Sequence, residues 1–475
     1  MLFNSLDFVL FFILVTSAYF SLPHGLRWQL LLAASCLFYM AFVPTYILIL
    51  FTAITIDYFA AIWIEDTEVS HRKRLYLQMS IGSVCTILFV FKYFNFFNEN
   101  LAVIAKAIHW NYPIESLEII LPIGLSFHTF QSLSYVIEVY YGRQRAERHF
   151  GIYSLYVMYF PQLVAGPIER PQHMLHQFHE KQVFDWSRLG TGLSLILWGL
   201  FKKVVVADNL ALYVDTIYNS SGDHTGTSLL FATYFFAFQI YSDFSGYSDI
   251  ARGVSHIYGI ELMKNFETPY FSRSIPEFWS RWHISLSTWF RDYVYIPLGG
   301  NKVSQSQNIL NILVVFILSG LWHGANWTFV IWGGLHGLYL IAYRLVNFDT
   351  RYSSAHQHLL MSNWLLQFLQ LMLTFHLVSF AWIFFRADSI TTAMMIVEKI
   401  VLDHGPLFWA PTTFPQALFV TGLLLILDSL NQRIDYWSKE NSISARWRTV
   451  YALSLFFAIV LFGLESGTQF IYFQF

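Results

Sequence analysis

Stretches of chain long enough and apolar enough to cross a bilayer recur almost from end to end. Segments 6–22, 28–43, 46–64, 77–97, 117–140, 190–207, 228–244, 308–326, 327–347, 364–386, 414–430 and 449–465 consist mainly of aliphatic and aromatic residues. A span needs about 20 such residues, because inside hydrocarbon each backbone N–H and C=O must find its partner within the segment. That repetition predicts an all-α, polytopic integral membrane protein. The charge inventory agrees: only 12% of the 475 residues are Asp, Glu, Lys or Arg, roughly half the share in a soluble globular chain and too few to cover a water-facing surface. Segment 151–165 is short for a span and runs into AGPIERP, which suggests a re-entrant piece. The expectation is about 11–13 transmembrane or re-entrant helices, forming a single transmembrane domain over 1–475. The opening MLFNSLDFVLFFILV lacks the basic region of a cleaved signal and reads as a retained first span.

Basic residues test the map, since cytoplasmic loops are enriched in Lys and Arg. Arg72, Lys73 and Arg74, then Arg143, Arg145 and Arg148, then the Arg and Lys residues of 248–307, then Arg433, Lys439, Arg446 and Arg448 form four clusters. With 151–165 re-entrant, all four fall on one side. The loop expected at 208–227, which has no Lys or Arg, falls on the other, and both termini lie outside. Section 248–307 interleaves Trp and Phe with Arg281, His283, Arg291 and Asp292. That mixture suits an interfacial helical section at the cytoplasmic face.

Several functional classes lose support. A net charge of −2 with no basic stripe gives nothing for nucleic acid to bind. Cys36 and Cys85 sit singly in apolar runs, as packing residues do, and no metal-ligand spacing is present. Walker-type loops, GxSxG, HExxH and CxxC are all missing, so hydrolase and nucleotide-motor readings have no motif to stand on. A tightly bound cofactor is not expected.

Polar residues at membrane depth are costly and therefore the first functional candidates. His323, in SGLWHGANW, is flanked by Gly320 and Gly324, which let backbone or substrate approach closely. A neutral imidazole there could act as a general base, or could simply bond between helices. His283, in FWSRWHISLS, has the same two readings. Trp322 and Asn326 flank His323 and are candidate substrate contacts, as is Asp243 in YSDFSGYSD, which could equally cap a helix. Ser242, Ser245, Gly246 and Ser248 predict a turn or break there. His336 and His128 read as packing or interhelical histidines.

Taken together, LPIGLSFHTFQSLSYVIEVY (121–140), FPQLVAGPIERP (160–171), YSDFSGYSDIARG (241–253), FWSRWHISLSTWFRDYVYIPLGGN (278–301), LSGLWHGANWTFVIWGGLHG (318–337) and the ending FIYFQF (470–475) resemble the membrane-bound O-acyltransferase family. The likeness is to its bacterial branch that acylates cell-envelope polymers. The resemblance implies that His323, in its WHG setting, is the catalytic histidine and that His283, in RWH, is a second functional one. It implies acyl transfer from a thioester to a hydroxyl, with acetyl-CoA as the donor substrate and a protein tunnel across the bacterial inner membrane. A periplasmic acetyltransferase partner would receive the acetyl group, so that O-acetylation of an exported, alginate-like polysaccharide would be indirect. Two alternatives remain at this point: D-alanyl transfer from a carrier-protein thioester, and a polytopic transporter with no covalent step.

Overall fold

A computed structural model describes all residues except 120, 123, 164–165, 349–363, 440–444 and 465–475. The ending FIYFQF lies outside the described residues, as do the side chains of Arg433, Lys439, Arg446 and Arg448. Every regular element among the described residues is helical. Among the described residues, seven helices are long and apolar enough to cross a membrane: Pro44–Asp66, Ser70–Ala107, Trp186–Tyr218, Gln305–His323, Trp327–Val346, Trp364–Arg386 and Thr413–Leu430. Leu6–Ser21 and Thr449–Phe462 are shorter apolar helices. The expected all-α, multi-pass membrane architecture is therefore present.

The chain divides into two compact units, Met1–Ile196 with Ser248–Met263, and Leu197–Tyr247 with Lys264–Phe475. In the first, helix Ile47–Asp66 carries a fully buried carboxylate, Asp57, which accepts from Ser80 Oγ at 2.6 Å and from the Ser132 hydroxyl. Helix Phe150–Met158 ends at Tyr159, whose non-helical backbone (φ −53°, ψ 113°) separates it from the short helix Phe160–Leu163. Nearly every side chain from Ile152 to Leu163 is buried. Irregular backbone within a membrane protein requires such protein surroundings. The AGPIERP stretch is anchored by Glu169, which is fully buried. Its Oε1 accepts from Met263 N–H at 2.6 Å, and its Oε2 lies 2.8 Å from His173 Nδ1.

Two sequence expectations fail in the second unit's helices. The span expected to end at 207 continues through a π-helical turn, Phe201–Ala207, into helix Asp208–Tyr218. The Lys/Arg-free connection thus shrinks to 219–225. The break expected at 242–248 is also absent, because helix Gly226–Ile257 runs straight through it. Both corrections have one cause. Lys203 Nζ bridges Asp208 Oδ1 at 2.9 Å and Asp243 Oδ1 at 2.8 Å, with all three side chains buried. Lys202 Nζ donates to Ser245 Oγ, and a side chain on Gly246 would strike the Gly199 carbonyl, 2.8 Å from its Cβ. The side-chain oxygens of Asp243 and Ser245, engaged by Lys203 and Lys202, cannot compete for their own backbone, so these two turn-forming residues stay helical.

Candidate active site

His323 is the last residue of helix Gln305–His323, and the chain re-enters a helix at Trp327. The apolar run from 308 to 347 is thus broken at 324–326. Gly324 continues with extended backbone, and Asn326 caps the next helix, its Oδ1 accepting from Thr328 N–H at 3.0 Å. Asn326 Nδ2 donates to the Asp388 carbonyl at 3.1 Å. Both ends of this amide are therefore engaged by backbone.

The two helices meet at glycine. A Cβ on Gly320 would lie 2.2 Å from the Phe329 carbonyl oxygen, and one on Gly333 would lie 2.2 Å from that of Phe316. Only a hydrogen fits at either position, which accounts for the small residues around WHG. This approach seats His323, 4% exposed, among aromatic rings. Trp332 is 4.9 Å away edge-on and Phe385 is 5.4 Å away.

His283 reaches the same cluster from a different part of the chain. Helix Ile275–Arg281 begins at Ser274, whose hydroxyl accepts from Glu277 N–H at 3.3 Å, while Glu277 Oε2 accepts from Arg273 N–H at 2.7 Å. This is a Ser-x-x-Glu cap. After Trp282 the chain turns sharply, and His283 takes left-handed backbone, φ 43°, before helix Ile284–Phe290. Asn265 supports that joint. Its Oδ1 lies 3.1 Å from Ser285 N, 3.0 Å from Ser285 Oγ and 3.2 Å from His283 Nδ1. Its carbonyl accepts from Ile284 N–H at 2.9 Å.

His283 has no solvent exposure, and burial pushes its imidazole down to about 3. Its ring is 6.1 Å from that of Trp322, which is itself 4.9 Å from His323. Trp322 is therefore the shared wall of both histidines, which stand 40 positions apart in sequence. Residues 264–290 hold His283 through the short helices Ile275–Arg281 and Ile284–Phe290, whose Phe278 and Leu286 are buried, as is Trp282 between them.

The other candidates sit as follows. Asp243 is buried and bound to Lys203, while its neighbour Phe244 meets the His283 ring edge-on at 4.6 Å. His336 is fully buried among Phe278, Trp279, Trp332 and Tyr339, and neither ring nitrogen has a hydrogen-bond partner among the described residues. Trp332 and Asn265 were not singled out from sequence, and Lys203, whose place at the end of an apolar run suggests snorkelling to an interface, is instead buried between Asp208 and Asp243. Trp332 stands in the quoted stretch 318–337, but nothing local marked it. No group of three metal-ligating side chains occurs among the described residues. Two imidazoles on one indole, inside an aromatic and largely water-excluding wall, can accept and return protons near a reacting group.

Comparison with known proteins identifies the chemistry. The sequence model of the membrane-bound O-acyltransferase family matches residues 149–385. A peptidoglycan O-acetyltransferase of Helicobacter pylori is 35% identical over 401 residues, covering 79% of this chain and 74% of that protein. A probable alginate O-acetylase, AlgI, of Azotobacter vinelandii is 38% identical over 397 residues, covering 83% and 76%. A teichoic acid D-alanyltransferase of Bacillus subtilis is 28% identical over 276 residues, covering 55% and 68%. The transporter alternative falls with these matches. The chain belongs to the membrane-bound O-acyltransferase family and is a multi-pass membrane O-acyltransferase.

Proposed function

We propose that this O-acyltransferase moves acetyl groups from cytoplasmic acetyl-CoA across the bacterial inner membrane for O-acetylation of a cell-envelope polysaccharide, with His323 as general base. The observation that carries the reading is that His323 and His283, both buried, each pack against the Trp322 ring, at 4.9 Å and 6.1 Å. The relatives named for O-acetylation match a larger share of the chain, at higher identity, than the D-alanyltransferase does. This favours acetyl over D-alanyl. The polymers named for these relatives, alginate and peptidoglycan, make a glycan hydroxyl the final acceptor, reached through a periplasmic acetyltransferase partner.

In the step itself the attacking hydroxyl gives its proton to His323 as its oxygen bonds to the thioester carbonyl carbon. The C–S bond breaks, and the proton passes to the departing thiolate. His283 and Trp322 line the surroundings in which the reacting groups are held. Asn326 and Asp243 contribute to the substrate's surroundings by fixing the helix ends and the helix that border the site. Exclusion of water by the aromatic wall limits hydrolysis of the thioester.

The test is transfer of label from radiolabelled acetyl-CoA by the purified protein in nanodiscs, with the polymer-modifying partner supplied. His323→Ala is expected to lower the rate by about 10²–10⁴-fold, the usual worth of a general base, with an unchanged melting profile. Undiminished transfer would remove His323 from the chemistry. Replacing acetyl-CoA with a D-alanyl carrier thioester is expected to abolish transfer, and preferred use of that donor would replace acetyl with D-alanyl.

A further inference from the structure

We infer that Asn265 is a positioning residue that fixes the tautomer of His283, holding the hydrogen on Nδ1 and the lone pair on Nε2. The inference rests on the proposed part of His283 in acyl transfer, but the tautomer itself follows from geometry. Asn265 is 1% exposed, and its Oδ1 takes the backbone N–H of Ser285 at 3.1 Å. A backbone N–H can only donate, so the amide must present its oxygen, not its nitrogen, to this joint. The same oxygen lies 3.2 Å from His283 Nδ1. Two lone pairs at that distance would repel, so Nδ1 carries the hydrogen and donates it. Ser285 Oγ, 3.0 Å from the same oxygen and 3.4 Å from Nδ1, can donate to the amide and accept from the ring at once.

A neutral imidazole has one donor and one acceptor nitrogen, so settling Nδ1 settles Nε2 as the acceptor. Burial keeps the ring neutral over the physiological range. Asn265 also holds the position of the ring, because its carbonyl takes the Ile284 N–H at 2.9 Å immediately after the left-handed residue. Left-handed backbone at a non-glycine residue is strained and needs outside support. Asn265 therefore supplies position and protonation pattern together, as the partners of functional histidines commonly do.

Phe244, Phe266, Trp322, Ser285 and Asn265 face His283 among the described residues, and all five are apolar or neutral. None of these five is ionised in the neutral range. Placing one carboxylate at position 265 is thus a clean perturbation. Asn265→Asp keeps an acceptor for Ser285 N–H and Nδ1–H but adds a negative charge that favours the imidazolium. Asn265→Leu keeps the volume and removes the acceptor.

The experiment is nitrogen-15 NMR of histidine-labelled protein in nanodiscs, with His283→Asn used to assign the His283 signals, combined with the pH profile of acetyl transfer. The wild type is expected to show a protonated Nδ1 and a pyridine-type Nε2. An Nε2–H tautomer would overturn the inference. In Asn265→Asp the acidic limb of the activity profile is expected to move to higher pH by one unit or more, with the tautomer retained above it. A lowered rate with an unmoved limb would show a merely structural role. Should Asn265→Leu fail to fold, the Asp variant still decides. Should the wild type transfer no acetyl, the functional reading fails while the NMR spectrum still decides the tautomer.

Discussion

A lysine ammonium buried at membrane depth is tolerated only if its charge is met, and Lys203 is met twice, by Asp208 and Asp243. Removing it strands two carboxylates, the costly way to break a buried pair. Lys203→Met is therefore expected to destabilise the protein by about 3–5 kcal/mol, seen as a large fall in melting temperature in detergent. Adding Asp208→Asn and Asp243→Asn should recover much of the loss. A single variant that melts like wild type would show that the bridge contributes nothing. The residue scale is also where the sequence was most and least informative. His323 and His283 stood out because imidazoles in apolar surroundings need a reason. Their meeting on Trp322 was invisible, since a separation of 40 positions carries no distance information. Asn265 gave no signal at all, because it acts on the backbone of residues 284–285 from an irregular stretch upstream.

At the scale of elements, helix extents were largely legible because hydrophobic runs and glycine punctuation report them directly. The WHG break is one example, ending one helix at His323 and starting the next at Trp327. The failures at 207 and 242–248 arose where local turn chemistry was overruled by partners on another helix. The glycines of the break make a prediction that separates close approach from simple helix propensity. Gly320→Ala would place a methyl group 2.2 Å from the Phe329 carbonyl, whereas Gly334 has open space within 4 Å. The first substitution is expected to cost about 1–3 kcal/mol from overpacking and to reduce acyl transfer by shifting His323. Gly334→Ala should be neutral or stabilising by up to about 1 kcal/mol, since alanine is the better helix former. Equal melting temperatures for the two variants would mean that the helices do not pack at Gly320.

At the scale of the whole molecule, the division into two units was not legible, because residues 248–263 return to the company of 1–196 and periodicity cannot tell which helices pack together. Each unit nevertheless carries its own titratable device, and the two act with opposite sign. In the second unit, burial depresses the His283 imidazole from 6.5 to about 3. Between those values the unfolded chain binds a proton that the native state refuses. Its contribution to stability is full above pH 6.5 and is lost steadily as pH falls toward 3. In the first unit, Glu169 raises the His173 imidazole above its ordinary 6.5. That contribution is full below 6.5 and is lost as pH rises through the raised value. The sum favours stability near neutrality, and substitution separates the two parts. His283→Asn suits the left-handed backbone and does not titrate, so its melting temperature should fall less than that of wild type between pH 6.5 and 4. His173→Gln should instead flatten the alkaline side, lessening the decline above pH 6.5. Parallel wild-type and His283→Asn curves on the acid side would mean that His283 titrates in the folded protein as it does in the unfolded chain, and that burial does not hold it neutral below pH 6.5.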